Sequence, residues 1–193
     1  VFLVVCALEA GSATGLDQQR RPAQKPAVTA IQPAPEPPPA PALGRLPAIL
    51  TLREQEEMYN AWLTVRLERL LPDLMRQEGF DMWIVLCREA NEDPVFTSLV
   101  PFTTMYASRT SMLVFTDKGP EGIERLNVSR SSIGQLYKAA WDPDRTDQWT
   151  RLGEIIKERS PKKIGINESE MFSFGDGLTA SLKTKLIAAV PAE

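Results

Sequence analysis

Apolar residues recur every three or four positions between residues 59 and 74, a spacing that predicts a helix with one apolar face. The members of this face are Tyr59, Leu63, Leu67, Leu70 and Leu74, with Met58 and Trp62 widening it. We expect the whole face to pack against the core of the domain, because a helix with one apolar stripe is typical of a surface helix in a globular protein.

The ends of this helix are indicated by capping residues. Thr51 and Glu54 have the T-x-x-E spacing of a capping box, in which each side chain accepts from the backbone N–H of the other residue. Pro72 has no N–H to donate and disfavours helical backbone at Leu71, so a kink or break is expected there. Gly79 predicts the end of the helix.

Three apolar runs predict strands in the middle of the chain. The six residues 82–87 follow a glycine and are apolar without interruption, which indicates a strand buried on both faces. Residues 111–116 predict a second strand, and 123–128 its returning partner. The turn chemistry of residues 117–120, with Asp, Gly and Pro, connects these last two runs as a hairpin.

The last third of the chain alternates helix, strand and helix. Thr146 or Asp147 caps a helix that ends before Pro161, residues 163–167 form a short strand, and Asp176 caps a final helix. Because helices alternate with strands and one hairpin interrupts the alternation, we predict the α/β class, with a mixed sheet flanked by helices.

Residues 1–12 have the character of an export signal. A short apolar run, too short to span a bilayer, is followed by small residues where a signal peptidase would cut, so we interpret 1–12 as the remnant of a signal peptide. This predicts an exported protein, periplasmic or secreted, without a transmembrane span. Cys6 is a candidate for lipidation, although Val5 is larger than the residue usually found before a lipidated cysteine. A mistranslated upstream stretch is the remaining interpretation.

Nine of the sixteen prolines lie within residues 13–47. Proline fixes φ and removes a donor, so we predict a disordered tether of polyproline character. A ligand for SH3-type domains is the alternative interpretation of this segment. The folded domain is therefore assigned to residues 48–193.

The composition argues against nucleic-acid binding and against chemistry that depends on histidine or on a disulfide framework. The net charge is −3 and favours no nucleic-acid partner, because such binding depends on Lys and Arg that neutralise phosphates. The chain has no histidine, which removes the most frequent general base and metal ligand. The two cysteines, Cys6 and Cys87, are far apart and predict no disulfide framework. We assign no catalytic residue and no metal ligand in this chain.

The loop 88–94 follows the first buried strand, and ligands of open α/β sheets gather at such strand ends. Its carboxylates and Asn91 are able to bind a metal or a substrate amine, but a solvated turn before Pro94 is the preferred interpretation. Arg109, near the second strand, is able to clamp a carboxylate through two parallel hydrogen bonds. The candidate residues for substrate access are Asn91, Glu92, Tyr106 and Arg109.

Two N-x-S triplets, starting at Asn127 and Asn167, match the glycosylation sequon. Both lie in or beside predicted strands, and a triplet this short is a weak signal.

Several segments in the order in which they occur resemble the amino-terminal domain of the creatinase/prolidase/Xaa-Pro aminopeptidase family, the metallopeptidases of pita-bread fold. The similarity extends from about residue 50 to the end of the chain. The segments that carry it are Arg66–Pro72, Glu78–Val85, Asn91–Phe96, Leu113–Phe115, Ile164–Asn167 and Gly177–Thr179.

The resemblance implies a mixed sheet of ribonuclease-H-like type that precedes a catalytic domain and takes part in a homo-oligomer. It also implies a peptide substrate at the cleft, and two divalent metal ions (Mn, Zn or Co) on two Asp, one His and two Glu of the missing C-terminal catalytic domain. None of those residues has a counterpart here, so no cofactor is expected in this chain.

Three hypotheses about function follow. The first is the non-catalytic amino-terminal domain of an exported metallopeptidase, inactive alone, that shapes substrate access and dimerisation. The second is a stand-alone binding module of the same fold. The third is a ribonuclease-H-like nuclease, which the net negative charge disfavours.

Overall fold

The structure is a computed structural model that describes residues 49–190. The predictions for residues 1–12, for the segment 13–47 and for Cys6 lie outside the described residues. No helix between residues 49 and 190 is both long enough and apolar enough to cross a membrane.

The described chain forms one five-stranded sheet with helices on both faces. The strands are β1 (Met82–Arg88), β2 (Thr110–Asp117), β3 (Ile123–Asn127), β4 (Lys138–Ala139) and β5 (Ile164–Gly165). The spatial order is β4-β3-β2-β1-β5, with β2 antiparallel to β1 and β3, and with parallel pairs at both edges. The predicted α/β class with a mixed sheet flanked by helices is confirmed.

The helices are α1 (Leu52–Val65), α2 (Leu71–Glu78), α3 (Pro94–Leu99), α4 (Gln148–Arg159) and α5 (Ala180–Ala189). A π turn, Arg66–Leu70, joins α1 to α2, so that the two form one rod. Short 3₁₀ turns occupy Gly119–Glu121 and Ser173–Gly175.

Two apolar cores lie on opposite faces of the sheet. One joins the α1–α2 rod and α3 to the sheet, and its largest members include Leu63, Phe96, Phe115 and Tyr137. The other joins α4 and α5 to the opposite face, through Ile84, Val114, Leu152 and Leu186 among others. Alternate residues of β1 serve the two cores, which explains why the whole run 82–87 is apolar and buried.

The capping box at the start of α1 is confirmed, because Thr51 Oγ1 accepts from the backbone N–H of Glu54, whose carboxylate accepts from Thr51 N–H. Of the kink or break expected at Leu71, the break is wrong, and the irregularity that is present is the π turn. Backbone at Leu70 and Leu71 remains helical, and Leu71 N–H donates to the carbonyl of Arg66 across the π turn. The widened turn directly before Pro72 accommodates the proline ring without ending the rod.

The π turn also changes which residues face the core. Leu70 and Leu74, predicted on the buried face, are 52% and 41% exposed, whereas Leu71 and Met75 are buried in their place. A π turn contains one residue more than an α turn, so every side chain after it moves one position round the helix.

Caps and strand bounds near the end of the chain differ from the prediction in part. Asp147 caps α4, as one of the two predicted alternatives. Thr179 caps α5 instead of Asp176, whose carboxylate accepts from Ser169 N–H. The strand expected over residues 163–167 is limited to β5, because Asn167 turns inward and bonds to the core.

Candidate functional site

The four candidate residues for substrate access lie at one edge of the sheet. β1 and β2 are antiparallel, so the end of β1 at Arg88 is opposite the start of β2 at Thr110. The loop that carries Asn91 and Glu92 therefore lies beside the loop that carries Tyr106 and Arg109. The structure places these two pairs of candidate residues at the same edge of the sheet.

Glu92 joins the two loops. Its Oε1 accepts from the backbone N–H of Ala90 at 3.2 Å and from the backbone N–H of Ala107 at 3.1 Å. The side chain is half-buried. Glu92 therefore acts first as a positioning residue for the backbone of both loops, at Ala90 and at Ala107 beside Tyr106.

The backbone at this edge holds two left-handed residues that are not glycine, Ala90 (φ 62°) and Arg109 (φ 51°). Such residues cost of order 1–3 kcal/mol and are enriched at binding sites. The surrounding hydrogen bonds hold them, since Glu89 N–H donates to the carbonyl of Arg109 at 2.9 Å.

The other three candidate side chains point outward. Tyr106 is 67% exposed, and Asn91 and Arg109 are also exposed. None of the three side chains forms a hydrogen bond or ion pair with another residue of the range 49–190. An amide, a phenol and a guanidinium are thus available at this edge to contact a polar or anionic group.

Behind this edge lies a buried polar chain that sequence reasoning did not identify. The indole N–H of Trp83 donates to Oδ1 of Asn167 at 2.7 Å, and Nδ2 of Asn167 donates to Oδ2 of Asp93 at 2.8 Å. Oδ1 of Asp93 accepts from the backbone N–H of Val95 at 2.7 Å and so caps α3. Asp93 is therefore not part of a solvated turn, because it is fully buried.

Gly177 packs directly against this chain of hydrogen bonds. A Cβ atom built at Gly177 would overlap the carboxylate of Asp93. The segment before α5 therefore passes so close to Asp93 that only glycine fits, and Leu178 N–H donates to the carbonyl of Asn167 at 3.0 Å.

Burial determines the protonation chemistry of the groups behind this edge. It raises the pKa of the Asp93 carboxyl, which the hydrogen bonds from Asn167 and Val95 partly oppose. Burial also raises the pKa of the Cys87 thiol to about 12. Since the thiolate is the reactive form of cysteine, Cys87 is a small apolar core residue.

The implied metal ions find no matching ligands in this part of the chain. Among residues 49–190, no three or more His, Cys, Asp or Glu side chains cluster in a way that could hold a metal ion. Glu92 and Asp93, the nearest carboxylates, are already bonded to backbone and amide groups. We therefore derive no chemical step through a metal at this site.

The asparagine side chains of both sequons are buried in the folded chain. Asn127 is 7% exposed and its amide donates to the carbonyl of Ser131, while Asn167 is 1% exposed and bonded on both sides. Neither side chain is therefore able to carry a glycan in the folded chain.

One local signal could have identified Asp93. Aspartate directly before proline has the pattern of an N-cap followed by proline at the first helical position. No local signal connects Asp93 to Asn167 or Trp83, because these contacts exist only in the folded chain.

Comparison with protein-family models, with curated proteins and with solved structures found no match for this chain.

Proposed function

We propose that this chain is the non-catalytic amino-terminal domain of an exported metallopeptidase of the creatinase/prolidase/Xaa-Pro aminopeptidase family. In this proposal the domain shapes substrate access and takes part in dimerisation, while the chemistry belongs to a catalytic domain that follows it. The parent enzyme hydrolyses the peptide bond before proline or a related amide.

The observation that carries the proposal is the convergence of the segments that resemble the family. Four of those segments contribute one residue each, namely Trp83, Asp93, Asn167 and Gly177. The hydrogen bond between Trp83 and Asn167 joins residues that are 84 positions apart in the chain. In the folded domain Trp83, Asn167 and Asp93 form one buried hydrogen-bonded chain, and Gly177 packs against the Asp93 carboxylate. The convergence of these four segments at one place in the fold supports the proposal.

The edge that carries Asn91, Tyr106 and Arg109 is the part of the domain suited to contact a substrate. Its two loops are held rigidly by Glu92 and by the strand pairing between Arg88 and Thr110. The exposed guanidinium of Arg109 matches a carboxylate, such as that of a short peptide. In the catalytic domain, two divalent ions (Mn, Zn or Co) would supply an activated water.

The decisive experiment is to read the gene beyond codon 193. A downstream domain with Asp, Asp, His, Glu and Glu in that order supports the proposal. A stop codon at this point overturns it.

The role of the edge is tested in the full-length protein with an Xaa-Pro peptide as substrate. Replacing Arg109 by Ala is expected to raise KM several-fold and to leave kcat nearly unchanged, because a lost ground-state contact weakens binding only. Arg69→Ala, an exposed arginine near the opposite edge of the sheet beside Gly119, serves as the matched control. An unchanged KM for Arg109→Ala would remove this edge from the substrate path.

One observation favours the stand-alone binding module as a second candidate. Residues 49–190 cover both faces of the sheet with their own helices, so the described unit has two complete cores. Such a unit is able to fold without a further domain. The stop codon that overturns the first proposal would support this one.

A further inference from the structure

A cavity lies between the α1–α2 rod and α3, on the face of the sheet that these helices cover. It has a volume of about 250 Å³, and the only polar residues of its lining, apart from the indole nitrogen of Trp83, are Arg66, Glu78 and Ser98. An apolar cavity of roughly 150 Å³ already holds a benzene molecule. This space, which we call the rod–α3 recess, therefore has room for a single ring with a short chain attached.

The π turn shapes the recess. Leu71 and Met75 form part of its buried floor, whereas Leu70 and Leu74 are turned to the rim, where they are 52% and 41% exposed. Single π turns inside α-helices are found frequently at functional sites. The irregular turn and the recess therefore belong to one feature of the rod.

The walls of the recess offer apolar contact to an occupant. Trp83 and Phe80 contribute aromatic rings that are 7% and 4% exposed. The indole N–H of Trp83 already donates to Asn167 at 2.7 Å. The hydroxyl of Ser98 already donates to the carbonyl of Val95 at 2.8 Å. A polar body would lose its hydration against these walls without a replacement, so an apolar body is favoured.

Arg66 is the exception, at one end of the recess. It is half-buried, its Nη1 donates to the carbonyl of Ser98 at 2.7 Å, and its guanidinium lies 5.3 Å from the centre of the Tyr59 ring. No carboxylate of residues 49–190 lies within 4.0 Å of it. A guanidinium has five N–H donors, so several remain for a ligand. The charge of Arg66 is thus not neutralised by the described part of the domain.

The other end of the recess holds charges of both signs. Glu78 lines it, and the ammonium group of Lys163 donates to the backbone carbonyl of Glu78 at 2.8 Å. The same ammonium lies 4.8 Å from the centre of the Phe80 ring. The negative charge of Glu78 is therefore offset nearby, and the unbalanced charge of the recess is the positive charge of Arg66.

We propose that the rod–α3 recess binds a small monocarboxylic acid, with its carboxylate on Arg66 and its apolar body over Trp83. A guanidinium recognises a carboxylate through two parallel hydrogen bonds, which a neutral group of the same shape does not reproduce. This site goes beyond the proposed function, because none of its lining residues belongs to the edge that carries Asn91, Tyr106 and Arg109.

Two sources supply an apolar group next to a carboxylate, namely a free small acid and the C-terminal residue of a short peptide. We use 4-phenylbutyrate as the probe for the first and N-acetyl-phenylalanine as the probe for the second. Saturable binding of either compound at the recess supports the site. The ratio of the two affinities identifies the source.

The first test is isothermal titration calorimetry of the 193-residue chain with 4-phenylbutyrate from roughly 10 µM to 10 mM. We expect a dissociation constant on the order of 0.1–1 mM, as is usual for a ligand of this size. The neutral 4-phenylbutyramide keeps the apolar body and should bind about tenfold more weakly or less. Equal affinity for acid and amide overturns the pairing with Arg66, and the absence of saturable binding of both acids overturns the site.

The second test changes the protein. Arg66→Met is expected to weaken binding of the acid by about tenfold or more and to leave binding of the amide unchanged. Arg69→Met, an exposed arginine of the same π turn that does not line the recess, is the matched control and leaves both unchanged. Leu74→Trp fills the recess from its exposed rim, so it should weaken acid and amide alike.

Circular dichroism and a thermal melt establish that each variant is folded. Acid binding that is the same in Leu74→Trp as in the unaltered chain places the ligand elsewhere and overturns the proposal. If Arg66→Met does not fold, the comparison of acid with amide in the unaltered chain still decides the role of the charge. All of these measurements use the 193-residue chain, so their outcome is separate from the reading of the gene beyond codon 193.

Discussion

The side-chain amide of Asn167 donates to the carboxylate of Asp93 at 2.8 Å, although the two residues are 74 positions apart in the chain. The bond connects the start of α3 with the segment that leads into α5. Both groups are excluded from water, so neither can replace a lost partner by a solvent molecule. The pair therefore makes the folding of these two segments interdependent.

Asp93→Asn is expected to reduce the free energy of unfolding by about 1–3 kcal/mol, the usual effect of an unsatisfied buried polar group. The new amide has nearly the same shape, but one oxygen must still accept from Val95, so its NH₂ group faces the NH₂ group of Asn167. Urea denaturation measures the change. Asp176→Asn is the matched control, because that exposed side chain keeps an oxygen for Ser169 N–H. Equal midpoints for the two variants would contradict the prediction.

Gly177→Ala is expected to destabilise the domain by about 1–3 kcal/mol, as overpacking in a close-packed interior does. The added methyl group overlaps the Asp93 carboxylate, and α5 or α3 must move to admit it. Gly175→Ala, two residues earlier, is the control, because its methyl group meets Phe172 at an ordinary 3.5 Å. Thermal melts of the two variants should differ by several degrees. A Gly177→Ala variant as stable as Gly175→Ala would show that the segment does not pack against Asp93.

The ion pair between α2 and the end of β2 predicts a pH dependence. Nε and Nη2 of Arg76 each donate to the Asp117 carboxylate at 2.9 Å, and this hydrogen bonding lowers the pKa of Asp117 below its ordinary value of 3.8. A lowered pKa in the folded state contributes stability above pH 3.8, and the contribution is lost as the pH falls through the lower folded value.

Arg76→Met should therefore reduce stability at pH 7 only slightly, since the pair is partly exposed, and the difference from wild type should shrink below about pH 3.8. Urea midpoints between pH 3 and 7 measure this. Arg53→Met, on the exposed start of α1, should show no such trend. A difference that grows in acid would contradict the assigned sign.

Cys87 should not react with a thiol reagent in the folded protein. Its side chain is fully buried, and burial raises its pKa to about 12, so almost no thiolate is present at neutral pH. In a Cys6→Ser background, Ellman's reagent should titrate no thiol until guanidinium chloride is added. Rapid reaction of the native protein would show that β1 is more accessible than the structure describes.

Local signals predicted the features that depend on neighbouring residues. The capping box at Thr51 and the three long strands of the sheet were predicted within one or two residues of their bounds, because caps and uninterrupted apolar runs are encoded by adjacent side chains.

Features that depend on distant partners were not predicted. The two-residue strand β4 has no apolar run of its own and exists because it pairs with β3. In the sequence Asp93 has the pattern of a turn residue and Asn167 ends a predicted strand, and only the fold buries them against each other. The sequence predicted Leu70 on the apolar face, but Leu71 is the residue buried in the core. The prediction assumed a constant helical period, and the π turn changes that period.

The π turn also has a consequence for insertions and deletions. It contains one residue more than a regular helix needs, so a deletion of one residue within Arg66–Leu70 would convert it to an α turn and leave the buried residues before and after it on one face. The same deletion between Met58 and Trp62 would rotate everything that follows by about 100° and place polar residues in the core. Within the rod, this one turn is where the chain can change its length without changing the surfaces that it presents.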